Sequence, residues 1–194
     1  MAKAPLIILS GPSGSGKSTI IARLLKESGL PLRLSVSATT RKPRDYEREG
    51  VHYYFWTREE FQKQLRAGAF LEHAEVNGQW YGTLCREVDD YRARGVGVLL
   101  DIDVQGAAQV RARYPDCLSF FIRTSSPEEY EQRLRKRGTE SEEQIAVRLA
   151  TARRELERVH EFDEVIVNDD LDTAVAHVRD RIARAFHKGG CDAG

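Results

Sequence analysis

Residues 11 to 18 read Gly-Pro-Ser-Gly-Ser-Gly-Lys-Ser, which satisfies the spacing G-x-x-x-x-G-K-[ST]. Glycines at 11, 14 and 16 let the backbone curl, so that successive N–H groups point inward at phosphate oxygens. A helix starting at once behind the loop adds its positive end. In that geometry Lys17 would bridge β- and γ-phosphates, and the Ser18 hydroxyl would ligate magnesium. Gly11, Pro12, Ser13, Gly14, Ser15, Gly16, Lys17, Ser18 and Thr19 are therefore the candidate holders of a triphosphate donor.

A donor needs an acceptor. The stretch 35–55, SVSATTRKPRDYEREGVHYYF, packs Arg41, Arg44 and Tyr53 close behind a strand end. Two forked guanidinium groups and a phenol suit a dianionic monophosphate. By residue type alone such a loop is as readily a solvated surface. Asp101 ends the apolar run VGVLL, where an acid can hold magnesium or its waters, or merely cap a strand. Asp103, two residues on, points to the same side. The segment 132–149, QRLRKRGTESEEQIAVRL, carries Arg133, Arg137 and Arg148, the first two sharing a helix face. They suit a lid over phosphates, although Glu/Arg helices also make weak surface pairs.

The elements that must position these groups follow from periodicity. Leu6–Leu9, 96–103, 118–122 and 164–168 are short apolar runs, as buried parallel strands are. LRLSVSATT (32–40) alternates and reads as one further strand. Helical spacing runs through 18–28, 104–114, 128–138, about 141–160 and 171–186. Ser126, Pro127 and Glu129 read as cap, first-turn proline and third-position acid. Between about 41 and 89 the texture changes. HYYFW is strand-like, Thr57 with Glu60 reads as a capping box, and Asn77-Gly78 reads as a type I′ turn inside a hairpin. Alternating strands and helices predict a doubly wound five-stranded parallel α/β sheet, with an inserted α+β subdomain.

Thirty basic and thirty acidic residues cancel, so no global charge steers the 194-residue chain to nucleic acid or membrane. Three widely spaced cysteines show no metal spacing and fit a reducing compartment. The apolar run at the start of the sequence is too short for a signal core or a membrane span. The expectation is a cytoplasmic protein.

The motifs GPSGSGKST, SVSATTRKPR, FLEHAEVNGQWYGT, LLDIDVQG, RGTESEEQIAVRL and VIVNDDL occur in the order found in guanylate kinases, and the chain resembles that family from about residue 6 to 185. The resemblance implies a P-loop NTPase-type fold and transfer of the ATP γ-phosphoryl group to GMP with Mg2+, giving GDP and ADP. It implies a domain over 4–188, with core 4–36 and 91–188, GMP-binding insert about 37–90 and helical lid about 133–150. Residues 189–194 are expected to form a disordered tail. By the same resemblance Arg41, Arg44, Tyr53 and Tyr81 match GMP-phosphate ligands, and Ser37, Glu72, Thr83 and Asp103 match guanine-contacting positions. Asp101 matches the metal-holding acid. Lys17, Arg41, Arg137 and Arg148 match the transfer machinery, and Asn168 the adenine-edge segment. Guanine offers N1–H and N2–H2 as donors and O6 as an acceptor, so Glu72 can take two hydrogens while Ser37 or Thr83 donates to O6. One departure stands out: Tyr46 occupies a position where the family usually has glycine. A binding module on the same fold, or a P-loop kinase of another phosphorylated small molecule such as a ribose bisphosphate, are the alternatives. Retention of Gly16, Lys17, Ser18 and Asp101 argues against the first, and a purine-reading Glu72 against the second. The sequence leaves the oligomeric state open, a homodimer included.

Overall fold

The structure, a computed structural model, describes residues 3–76, 78–137 and 141–188. The expected turn at Asn77 and the tail at 189–194 fall outside them. Five parallel strands make one sheet in the order β2 (Leu32–Leu34), β7 (Gly97–Asp101), β1 (Leu6–Ser10), β8 (Leu118–Arg123), β9 (Glu164–Val167). All five residues of β1 are buried, because both faces of the sheet are covered. Leu6 and Ile8 join Val98, Leu100 and Phe121 on one face, under α3 (Cys85–Ala93) and α4 (Val104–Arg113). Ile7 and Leu9 join Leu99, Phe120 and Ile122 on the other, under α1 (Lys17–Glu27) and α7 (Leu171–Lys188). Each such side chain contributes about 1.5–3 kcal/mol by leaving water, so the central strand is rigid where the loop at its end begins.

A second sheet has the order β4 (Tyr54–Phe55), β3 (Ser37–Thr39), β6 (Gln79–Leu84), β5 (Phe70–Val76). α2 (Arg58–Arg66) closes it, stacking Phe61 on Phe70 with ring centroids 4.4 Å apart. α5 (Pro127–Arg137) and α6 (Glu142–Glu157) form a helical pair beside the core, and a short 3-10 turn, Val159–Glu161, follows α6.

Two local expectations are corrected, and one helix was not foreseen. LRLSVSATT is two strands in two different sheets: Ser35 N–H donates to Leu99 O at 2.9 Å as the last bond to the core, and β3 then pairs with β6. A period of two says that a residue is extended, not which strand it joins. Thr57 does cap α2, accepting from Glu60 N–H at 3.1 Å, but the Glu60 carboxylate accepts from Gln64 instead, so the box is half made. α6 has the complete reciprocal box, between Ser141 and Gln144. Finally, α3 was unread in the sequence, because it buries charges. Glu87 is held by Arg33 at 2.7 Å and the Tyr54 hydroxyl at 2.8 Å, while Arg92 donates to Ala4 O at 2.7 Å and Asp116 at 2.9 Å. The Arg33–Glu87–Tyr54 chain also ties the two sheets together through α3.

Candidate active site

The loop after β1 gets its shape from two glycines with no alternative. Gly11 has φ 132°, and a Cβ there would stand 2.1 Å from Ile122 O. Gly16, the residue before α1, has φ 92°, and its Cβ would stand 2.2 Å from Asn168 Nδ2. Lys17 opens the helix and turns its ammonium back over the loop, donating to Gly11 O at 2.5 Å and Pro12 O at 3.3 Å. The β1–β7 register sets Leu9 opposite Asp101, so the acid emerges beside the loop. Loop, Thr19, Asp101, Asp103 and Glu155 of α6 line one cleft of about 290 Å³. Asp101 opens to solvent through the cleft, yet crowding by protein around its carboxyl pushes its pKa up, with the Lys17 cation opposing.

Glu155 was missed. Burial pushes its pKa up too, against Lys17 and with Asp103 adding to the shift. The available signal was spacing: Arg148, Ala152 and Glu155 share one face of α6, and Arg148 Nη1 donates to Ser13 Oγ at 2.6 Å on the loop. Ser15 is fully buried, so its hydroxyl does not face the cleft. Its carbonyl accepts from Asn168 Nδ2 at 2.7 Å. Asn168, expected at a nucleotide's edge, is itself 5% exposed and serves as a brace beneath the loop. Arg133 of α5 donates to Asn168 O at 2.9 Å and pairs with Glu129. The Arg137 side chain falls outside the described residues.

On the facing side Arg41 makes a forked pair with Glu47, at 2.9 and 2.8 Å, which holds the Glu47 carboxyl down at about 2. That pair also raises the Arg41 pKa, Tyr81 adding to it. The Arg41 guanidinium lies 5.5 Å from the Tyr53 ring centre, and Tyr53 meets Tyr81 edge-on at 6.0 Å. Burial raises the Tyr53 phenol, with Tyr81 and then Asp101 contributing, so this cluster lies within electrostatic reach of the loop's acid. Arg44 Nη1 donates to the Tyr46 hydroxyl at 2.9 Å.

Ser37, Thr83 and Glu72 occupy one row across β3, β6 and β5. Thr83 N–H and its hydroxyl both donate to Glu72 Oε1, at 2.8 and 2.7 Å. The Thr83 hydrogen is thus already held, so in its 3.5 Å contact with Thr83 Oγ1 the half-buried Ser37 hydroxyl is the donor, and it must turn from Thr83 to face a base. Burial pushes the Glu72 carboxyl up despite those two bonds, and Asp103 adds to the shift. Asp103 Oδ1 caps α4, accepting from Gly106 N–H at 2.7 Å.

A glycine-bent loop at a helix N-terminus, a strand-end acid and a cluster of arginines and tyrosines thus adjoin a buried carboxylate. A family model described as guanylate kinase matches residues 3–185. The chain belongs to the guanylate kinase family. It is a phosphotransferase, and the molecule it phosphorylates is GMP. It is 47% identical to a guanylate kinase of Fusobacterium nucleatum over 174 residues, 90% of this chain and 93% of that protein. It is 48% identical to that of Escherichia coli K12 over 180 residues, 92% and 87% of the two chains. The crystal structure of guanylate kinase from Anaplasma phagocytophilum superposes with a TM-score of 0.75 at 35% identity, covering 95% of this chain and 87% of that one. Among the described residues no helix is long and apolar enough to cross a membrane.

Proposed function

We propose that the donor is ATP, that Mg2+ is bound with it at the loop, and that the products are GDP and ADP. The observation that carries this reading is the meeting of two sites at the end of β7, where Asp101 lines the loop's cleft and Asp103 lies near Glu72. Backbone N–H groups between Ser13 and Thr19, with Lys17, would hold the triphosphate, with Arg148 closing from α6. Ser18 and Asp101 supply two hard oxygens at the cleft. Mg2+, when bound, offsets the charge of the transferring phosphates.

Arg41, Arg44, Tyr53 and Tyr81 would take the GMP phosphate. Glu47 would hold the Arg41 fork until the dianion replaces it as partner. Glu72 would accept N1–H and N2–H with the lone pairs that Thr83 leaves over, and Ser37 would donate to O6. A GMP phosphate oxygen, already anionic, attacks the γ-phosphorus while the bond to the β,γ-bridging oxygen breaks and ADP departs with the electron pair. No side-chain base is needed, and positioning and charge dominate. The core would be 4–36 and 91–188, the acceptor insert about 37–90 and the lid about 133–150, with Arg137 serving the phosphates and Asn168 near the adenine. Free thiols at Cys85 and Cys117 accord with action in the cytoplasm. An ADP-coupled assay with ATP and each of GMP, AMP, CMP and UMP tests the reading. Turnover with GMP alone, abolished in Lys17→Ala, is expected; preference for another base rejects it.

A further inference from the structure

Helix α4 runs along β5, and three residues on one face of it, Gly106, Gln109 and Arg113, touch the strand around Glu72. Arg113 Nη1 donates to Phe70 O at 3.3 Å. The Gln109 amide accepts from His73 N–H at 3.2 Å and donates to His73 O at 2.9 Å, gripping both backbone groups of the residue after Glu72. Gly106 meets Glu72 itself: a Cβ at 106 would stand 2.6 Å from Glu72 Oε2, 3.2 Å from its Cδ and 3.5 Å from Asp103 Oδ1. The strand alone does not aim that side chain, since the β5–β6 register slips between Phe70 and Glu72.

We propose that α4, through Gly106 and Gln109, positions the Glu72 carboxylate for guanine selection. The proposal rests on the reading of Glu72 as the group that recognises the base. A carboxylate is a plane, and two points fix it. Oε1 is pinned by the two Thr83 donors, and Oε2 lies against the bare Cα of Gly106. A methyl at 106 overlaps only the end of a side chain, so helix and strand survive while the carboxylate turns away from the guanine edge. Gly106 and Gln109 are positioning residues, acting through Glu72 rather than on the nucleotide.

The test compares Gly106→Ala, Gln109→Leu, Glu72→Gln and the double variant Gly106→Ala/Glu72→Asp in the full chain. Gly106→Ala should lower kcat/KM for GMP about 10²-fold, as a misplacement near 1 Å does, and narrow the GMP-over-AMP preference in parallel. ATP affinity by calorimetry should be unchanged, and the melting temperature unchanged or higher, because alanine favours the helix. The double variant should regain part of the loss, since an acid one methylene shorter clears the methyl. Gln109→Leu, lacking both bonds to His73, should raise KM for GMP about 3–10-fold with kcat little changed. If Glu72→Gln loses the guanine preference while Gly106→Ala and Gln109→Leu keep wild-type KM, the positioning role is overturned and the reading of Glu72 stands. If Glu72→Gln keeps the preference, the reading itself falls, and the inference with it. Should Gly106→Ala unfold the chain, the Gln109→Leu KM decides alone, and an unchanged value overturns the proposal.

Discussion

The two halves of the proposed site are built from different materials. The donor half is one contiguous loop made of backbone: its glycines bend it, Asn168 braces it from below by donating to the Ser15 carbonyl, and the Ser15 hydroxyl is buried away from the cleft. The acceptor half gathers side chains from β3, β5, β6, α4 and the 41–53 loop, each held by another side chain: Arg41 by Glu47, Arg44 by Tyr46, Glu72 by Thr83. A backbone site tolerates changes of side chain but not of conformation. A side-chain site does the reverse, and depends on partners that never touch the ligand.

The sharpest way to break that contrast is at Gly16. In Gly16→Ala the new Cβ meets Asn168 Nδ2 at 2.2 Å, and φ 92° disfavours any L side chain. ATP affinity by calorimetry should fall by about 10²-fold or more, while GMP affinity stays near that of the parent. Ser15→Ala, one residue away, should leave ATP affinity within about twofold. Its Oγ is buried without a hydrogen-bond partner among the described residues, so its removal should stabilise the fold by about 1 kcal/mol. Loss of ATP binding in Ser15→Ala would show that side chains matter in the loop after all.

A smaller effect is expected at Glu72, where function and stability should move in opposite directions. In Glu72→Gln guanine discrimination should weaken by about 1–3 kcal/mol, the value of a bidentate base contact. Burial raises the Glu72 pKa in the folded chain. Its contribution to stability is therefore fully present below the unfolded value, about 4.3, and is lost as pH rises through the folded value. Glutamine removes that loss, so the variant should melt higher than the parent at pH 7, with the two curves converging toward pH 4. A variant that melts lower at pH 7 would mean that the carboxylate's bonds to Thr83 outweigh its desolvation.

The same contrast explains what could be read in advance. The donor loop and the five-stranded sheet were legible, because contiguous motifs and buried apolar runs carry their own geometry: Gly11–Ser18 lies in one stretch, and β1 is apolar throughout apart from Ser10. The partners were not legible. Glu47 looks like any loop acid until it is seen forked onto Arg41, Glu155 like any helix-surface acid until α6 is seen against the loop, and Gly106 like any helical glycine. α3 escaped for the same reason, since Glu87 and Arg92 are buried only because Arg33, Tyr54 and Asp116 come from elsewhere to meet them. Tertiary partnership leaves no period in the sequence.

The finest probe of the contrast is Tyr46, an exposed ring beside Arg44 in the acceptor loop. Its hydroxyl accepts from Arg44 Nη1 at 2.9 Å, on a residue that is itself 66% exposed. A neutral acceptor takes one of the guanidinium's five hydrogens and leaves the rest of the fork for a phosphate. Holding a long side chain in place beforehand removes about 0.5–1.5 kcal/mol of ordering cost on binding. Tyr46→Phe keeps the ring and deletes the bond, so KM for GMP should rise by about 2–5-fold at unchanged kcat, with no change in ATP affinity. A fall in KM would mean the opposite sign: that the phenol competes with the phosphate for Arg44, and that the ring at this position costs affinity.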